Sequence, residues 1–271
     1  MSPLWRDDIR IQLSPLRVAL MRMNRGVRPR CIGEFDGRVV NDNLMDWRPA
    51  LAVMQSQITD AAWEGTNVRV VISDHWVRYA IVPWSNHIVT DEERLAYAAS
   101  CLANVYGSVA DQWRVRVSEG APGQARITCA IREALLGEIR TTLDICRLSL
   151  VSMQPQLIAA YNTWRDRLPN ANGWFVTIEE GSLAAARLVG GGWDRVYSAR
   201  IGGDWMVELQ RLKTFGRLAA QDGKNGRVYV DAPLWLRKLA GDCGPGVEWL
   251  VDERVESTAG DNLTVLRRMY S

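Results

Sequence analysis

Histidine is almost missing from this sequence: His75 and His87 are the only two in 271 residues. They are far apart and have no cysteine beside them, so their spacing offers no zinc site, and no Ser/His/Asp or Cys/His arrangement can be built on them. Each reads as an ordinary loop or strand-edge residue. Cysteine is also scarce. Cys31, Cys101, Cys129, Cys146 and Cys243 are odd in number, widely spaced and without a CxxC pair, which excludes a disulfide framework and reads as reduced, buried thiols. No run of 18 apolar residues occurs, and the opening "MSPLWRDDIRIQL" puts two acids where a signal peptide needs an apolar stretch. The expectation is a chain that stays in the cytoplasm. Charge of one sign is lacking too. With 33 basic residues against 31 acidic ones the net charge is +2, so no global field draws the chain onto nucleic acid or acidic lipid.

What is present is ordinary globular material, 47% hydrophobic and 24% charged, enriched in tryptophan, of which there are 12. "DIRIQL" (8–13) alternates Ile9, Ile11 and Leu13 with polar residues, as a strand with one buried face does, and "SP" (14–15) turns it. "LRVALMRM" (16–23) and "RPRCIGEF" (28–35) read as further strands, 47–62 has helical spacing, and "NVRVVIS" (67–73) is an apolar strand. The second half repeats the order: "WFVTI" (174–178), "SLAAARLV" (182–189), "RVYSARI" (195–201), a helix from Asp204 to about Ala220 with Asp204 as N-cap and Gly223 and Gly226 beyond it, then "RVYVDA" (227–232). Two halves with one element order predict duplicated α/β lobes with a cleft between them.

Between them lies an inserted region. "HWVRYAIVPW" (75–84) is a strand stopped by Pro83, and 90–107 is a helix with Thr90 as N-cap, Glu93 closing a capping box and Gly107 ending it. "QWRVRVSEG" and "ARITCAIRE" alternate as paired strands, and "ALLGEIRTTLDICR" is an amphipathic helix. The Pro, Asn and Gly of "RLPNANG" (167–173) mark a linker.

The hairpins around "LSPLRVALMRM" and "IEEGSLAAARLVGGGWDRVYSARIGGD", the "VRYAIVPWS" strand and the inserted subdomain together resemble the actin-like ATPase superfold. More narrowly, the chain looks like the PilM family of type IV pilus assembly proteins and the related cytoplasmic domain of the type II secretion protein GspL. The resemblance implies an α/β fold of duplicated actin-like (ribonuclease H-like) lobes. The first would be 1–166, with an inserted subdomain at about 75–146, and the second 174–271. In that superfold each lobe's first hairpin turn aims main-chain N–H groups at ATP phosphates, and an Asp beside each Gly organises Mg²⁺. Close approach of backbone to phosphate demands glycine, and the metal demands short carboxylates.

This sequence departs from that pattern. Its first turn is Ser14-Pro15, and proline has no N–H while its ring fills phosphate space. Its second is Glu179-Glu180-Gly181-Ser182: Gly181 and Ser182 survive as phosphate contacts, but Glu179 is a methylene longer than Asp and Glu180 adds negative charge beside an anionic ligand. Ala232-Pro233 stands where the family tends to present glycines at the base-binding edge. The expectation is a vestigial cleft with Ser14, Glu179, Gly181 and Ser182 in it, no catalytic residues, no metal and no cofactor, ATP with Mg²⁺ being the alternative of a nucleotide-binding ATPase or kinase. The resemblance further implies a scaffold, a pseudo-ATPase peripheral to the inner membrane. It would grip the cytoplasmic N-terminal peptide of a PilN-like single-span protein, with an assembly ATPase as a further partner.

Residue patterns leave plainer readings beside these. Glu179 and Glu180 could act as paired acid/base carboxylates, but as a polar turn facing water they need no other explanation, since no Asp or His completes a set. "GGG" (190–192) imitates a phosphate loop yet lies between strands, the place of a hairpin turn. On "WRVRV", Arg114 and Arg116 share one face and Trp113, Val115 and Val117 the other. Such a basic face could track single-stranded nucleic acid, or simply be solvated over an apolar one, and the near-zero net charge favours the latter. Exposed Trp beside Arg is the composition of a binding hot spot, and "RYAIVPW" is where Pro83 leaves a strand edge and an aromatic available to a peptide. Arg78, Trp84 and Arg114 are therefore the candidate partner contacts.

Overall fold

The computed structural model describes residues 7–24, 26, 30–59, 63–168, 171–202, 205–219, 227–240, 243–252, 263 and 266. Asp204 as a helix N-cap, Gly223 and Gly226 as its far punctuation, Arg28 and Pro29 at the start of the third strand, and the last residues of the 47–62 helix all lie outside these. The chain forms two compact units. One gathers Met1–Trp76, Ala134–Ala159 and Asp252–Ser271; the other gathers Val77–Glu133 and Ala160–Val251. Reading along the chain puts the inserted strands with the first half, whereas compactness groups them with the second, for the packing reason given below.

In the first unit, β1 (Asp8–Leu13), β2 (Arg17–Met23), β3 (Cys31–Arg38), β4 (Asn67–Ile72) and β8 (Ser149–Pro155) form one sheet in the order β3-β2-β1-β4-β8. The β1-β2-β3 meander is antiparallel, and β4 and β8 run parallel to β1. The alternating Ile9, Ile11 and Leu13 are wholly buried, and each such side chain contributes about 1.5–3 kcal/mol relative to exposure. Helix α1 (Arg48–Ile58) opens with Pro49, whose missing N–H costs nothing in a first turn, and packs Ala50, Leu51, Met54 and Ile58 inward against β1 and β2. The opposite face of β2 is covered from far along the chain: Leu263 and Leu266 lie on Ala19, Met21 and Met23. Arg10, buried on that face, donates from Nη1 to the Leu266 carbonyl at 2.8 Å.

In the second unit the same order recurs. β9 (Gly173–Glu179), β10 (Ser182–Val189), β11 (Gly192–Arg200), β12 (Arg227–Asp231) and β13 (Val247–Trp249) run β11-β10-β9-β12-β13, antiparallel through the meander and parallel from β9 to β13. Helix α5 (Trp205–Ala219) buries Trp205, Leu209 and Leu212 with Trp174, Val176, Val228 and Val230. The inserted strands β5 (Val77–Val82), β6 (Trp113–Val117) and β7 (Arg126–Arg132) form a separate three-stranded antiparallel sheet, β5-β7-β6. Helix α2 (Asp91–Tyr106) lies on β5 and β6, with Leu102 buried among Ala80, Ala110 and Ala130. β11 runs alongside β5 and β7, which is why these strands group with the second unit.

The capping box is realised. Thr90 Oγ1 accepts the Glu93 N–H at 3.1 Å, Glu93 Oε2 accepts the Thr90 N–H at 3.0 Å, and Gly107 at φ +75° ends the helix. Helices α3 (Glu133–Ile145), α4 (Gln156–Trp164) and α6 (Leu234–Ala240) complete the elements. No disulfide joins any of the five cysteines. Among the described residues no helix is long and apolar enough to cross a membrane.

Candidate functional site

The β1-β2 turn is closed on itself. Ser14 donates its N–H to the Arg17 carbonyl at 2.9 Å and its hydroxyl to the same oxygen at 3.0 Å, and the Arg17 N–H returns to the Ser14 carbonyl at 3.4 Å. Pro15, buried, contributes no N–H, and its carbonyl accepts from Asn41 Nδ2 at 3.3 Å. The Leu16 carbonyl accepts the Val39 N–H at 2.9 Å. In place of a ring of donors the turn presents a prolyl ring and hydrogen bonds already made within the unit.

The β9-β10 turn is built differently. Glu179 stands opposite Ser182, so Glu180 and Gly181 are the two central residues, and Gly181 takes φ +84°, as the third position of a type II turn requires. Glu180 is exposed, Glu179 half-buried and Ser182 buried. The Gly181 carbonyl accepts the Ile201 N–H at 3.1 Å, and Ser182 is also paired across to Arg200 on β11. Two acids and a buried hydroxyl therefore flank a glycine that keeps its turn geometry.

Elsewhere the glycine and proline signals resolve into structure. Gly190 and Gly191, at φ +58° and +79°, are the central pair of a type I′ hairpin whose N–H groups go to Asn172 Oδ1 at 2.9 Å and the Ala171 carbonyl at 3.0 Å. The expected hairpin turn is what forms. Pro233 opens α6, its carbonyl accepting the Leu236 and Arg237 N–H groups.

The three candidate partner residues all lie in the second unit, and register separates them. Arg78 on β5 pairs with Ala130, which pairs with Val115, so these three share the face that α2 covers. Arg114 pairs with Ile131, which pairs with Val77, placing Arg114 on the other face. Arg78 donates from Nη1 to the Val77 carbonyl at 2.7 Å. Burial holds its pKa below the ordinary arginine value, and the nearby Arg200 and Arg132 push the same way against the opposing influence of Tyr106. Arg114 forms a two-pronged pair with Glu133, Nε to Oε2 at 2.9 Å and Nη2 to Oε1 at 3.0 Å, which raises its pKa. The face pattern read from "WRVRV" holds, since Arg114 and Arg116 are exposed while Trp113 and Val115 pack towards α2.

Trp84 follows β5 and Pro83 and is 43% exposed. It borders a shallow recess with Val82, Pro83 and Ile88 as apolar lining and Arg94 and Arg126 as charged lining. Among the described strands β5 makes ladder hydrogen bonds with β7 alone, and β11 also lies close to it.

Sequence reasoning passed over Asp74. Its carboxylate, buried in the first unit, accepts the Leu157 N–H at 3.1 and 3.3 Å and so satisfies a donor in the first turn of α4. His75, beside it, is buried and bonded through Nδ1 to Ser73 Oγ at 2.9 Å. The Asp74 contact has no signal in local spacing, because Asp74 and Leu157 are far apart in the chain. Among the described residues no group of three His, Cys, Asp or Glu side chains gathers to hold a metal ion.

No family model matches this chain, and no curated protein is detectably similar to it in sequence. Solved structures are similar in fold. The PilM-PilN type IV pilus biogenesis complex superposes with a TM-score of 0.67 at 13% identity, covering 97% of this chain and 99% of that one. The cytoplasmic domain of EpsL, an inner membrane component of the type II secretion system of Vibrio cholerae, gives 0.61 at 11%, covering 97% and 94%. A Bacteroides thetaiotaomicron protein with an actin-like ATPase fold and unknown function gives 0.62 at 10%, covering 98% and 96%. With the β3-β2-β1-β4-β8 order of one sheet repeated as β11-β10-β9-β12-β13 in the other, the chain has the actin-like ATPase fold.

Proposed function

We propose that this chain is a non-catalytic scaffold of a type IV pilus or type II secretion-like assembly, a pseudo-ATPase that holds the cytoplasmic N-terminal peptide of a PilN-like inner-membrane protein. The observation that carries the reading is the fold likeness over nearly the whole length of both chains to a PilM-PilN pilus biogenesis complex. The Ser14-Pro15 turn supports the loss of nucleotide chemistry, because its hydrogen bonds are made internally. The chain would lie at the inner membrane through that partner, with an assembly ATPase as a further contact.

Of the three candidate contacts, Trp84 is the anchor in this reading. It is exposed, aromatic and set beside a recess, whereas Arg78 is a supporting residue of β5 and Arg114 has its fork on Glu133. A peptide can gain affinity from an exposed aromatic anchor and specificity from the recess beside it, without catalytic residues. The test is titration of the purified chain with synthetic peptides copying the first residues of single-span inner-membrane proteins encoded beside it. Saturable binding to one of them is expected; binding to none would remove the scaffold reading.

Gly181 at φ +84° favours one second reading, nucleotide binding through non-standard contacts. That reading expects a thermal shift with Mg-ATP that disappears in Gly181→Val.

A further inference from the structure

The recess at the end of β5 has a chemistry of its own. β5 stops at Val82, which stands directly opposite Arg126, the first residue of β7, and Trp84 and Ile88, beyond Pro83, form an apolar wall. The charges at the recess are all positive: Arg94 and Arg126 line it, and no carboxylate does so among the described residues.

Two acids of the first turn of α2 already have partners. Glu93 is folded back on the Val89 and Thr90 N–H groups as the return arm of the capping box, and Asp91 pairs with Arg94 at the solvent-exposed start of α2. Arg126, by contrast, donates from Nη2 to the Gly120 carbonyl at 3.1 Å, a neutral acceptor that orients the guanidinium without neutralising it. An apolar wall with an oriented guanidinium beside it is complementary to an aliphatic side chain next to a carboxylate.

We propose that this recess receives an extended acidic peptide segment, an aliphatic side chain packing on Trp84 and Ile88 while an adjacent carboxylate pairs with Arg126. This deepens the scaffold reading and rests on it for the site, naming the charge the partner must carry. The recess is shallow and takes one or two side chains, and a net charge of +2 provides no broad field for a nucleic acid backbone.

The experiment uses two fluorescein-labelled peptides, one of alternating glutamate and leucine and one of alternating lysine and leucine, with a labelled oligothymidylate as a third probe. Fluorescence anisotropy on the full chain is expected to give saturable binding of the glutamate-leucine peptide alone. Arg126→Gln and Arg126→Glu, each checked for an unchanged thermal midpoint, should weaken it progressively, the charge reversal by at least about tenfold. Failure of that peptide to bind, equal binding by Arg126→Glu, preference for the lysine-leucine peptide, or stronger retention of oligothymidylate each overturns the proposal. If the acidic peptide binds at Arg126 but no inner-membrane tail peptide does, the scaffold reading falls and this inference stands. If a tail peptide binds wild type and Arg126→Glu alike while the acidic peptide does not bind, the inference falls and the scaffold reading stands.

Discussion

Ser14 and Arg17 close the first hairpin turn as a unit, with the N–H and the hydroxyl of Ser14 both donating to the Arg17 carbonyl, at 2.9 and 3.0 Å. The turn is thus held by its own groups and needs no ligand to order it. Ser14→Ala removes one of the two bonds and is expected to lower stability by about 0.5–1.5 kcal/mol in urea denaturation. A larger loss that Mg-ATP restores would mean the turn is ordered by nucleotide.

Two glycines with positive φ separate turn chemistry from packing. Gly181, at φ +84°, sits in a turn, and Gly181→Ala should cost about 1–2 kcal/mol, the ordinary penalty for a side chain in the left-handed region. Gly173, at φ +152°, opens β9, and a Cβ there would meet the Arg227 carbonyl oxygen at 2.1 Å. Gly173→Ala is expected to cost well over about 3 kcal/mol, because the β9-β12 pairing itself must part. Paired urea titrations that rank the two the other way round would contradict this.

The start of α2 depends on Thr90 and Glu93. Thr90→Ala should destabilise the second unit by about 1 kcal/mol. Hydrogen bonds from the Thr90 and Val89 N–H groups hold the Glu93 carboxyl below its ordinary value of 4.5. A folded-state pKa lower than the unfolded one makes a contribution that is fully present above 4.5 and is lost as pH falls through the lower folded value. Stability of wild type measured at descending pH should therefore converge on that of Glu93→Gln below pH 4.5, and a constant gap between them would refute the pairing.

Register and exposure predict three different phenotypes at the partner contacts. Trp84→Ala should weaken peptide capture by about tenfold or more with an unchanged thermal midpoint. Arg78→Ala should lower the midpoint, since its side chain is half-buried on the α2 face, and Arg114→Ala should change neither property appreciably, its exposed pair with Glu133 being screened. Calorimetric titration beside differential scanning calorimetry checks all three. Loss of capture on Arg114→Ala without loss at Trp84 would move the docking surface to the opposite face of the β5-β7-β6 sheet.

Much of this was legible in local sequence. Alternation of Ile9, Ile11 and Leu13 marks a strand, Thr90 with Glu93 marks a helix start, and Pro15 and Gly181 reveal what their turns can and cannot donate. β8 was not legible, because its apolar residues break the alternating pattern around a bulge between its pairings to Val68 and Arg69. α6, entered through Ala232-Pro233, was hidden in a short apolar run. The separation of Arg78 from Arg114 depends on the register of β7 between them, and the grouping of 77–133 with the second unit depends on β11 running beside β5 and β7. These are relations between distant segments, which no window of sequence contains.

Pro15 removes an N–H donor from the first hairpin turn, and Glu179 and Glu180 place negative charge at the second, each by itself unfavourable to a triphosphate. Isothermal titration of the purified chain with Mg-ATP reads this directly. The account predicts no saturable heat, with or without Mg²⁺. A saturable, magnesium-dependent isotherm that vanishes in Gly181→Val would contradict it and restore the nucleotide-binding reading.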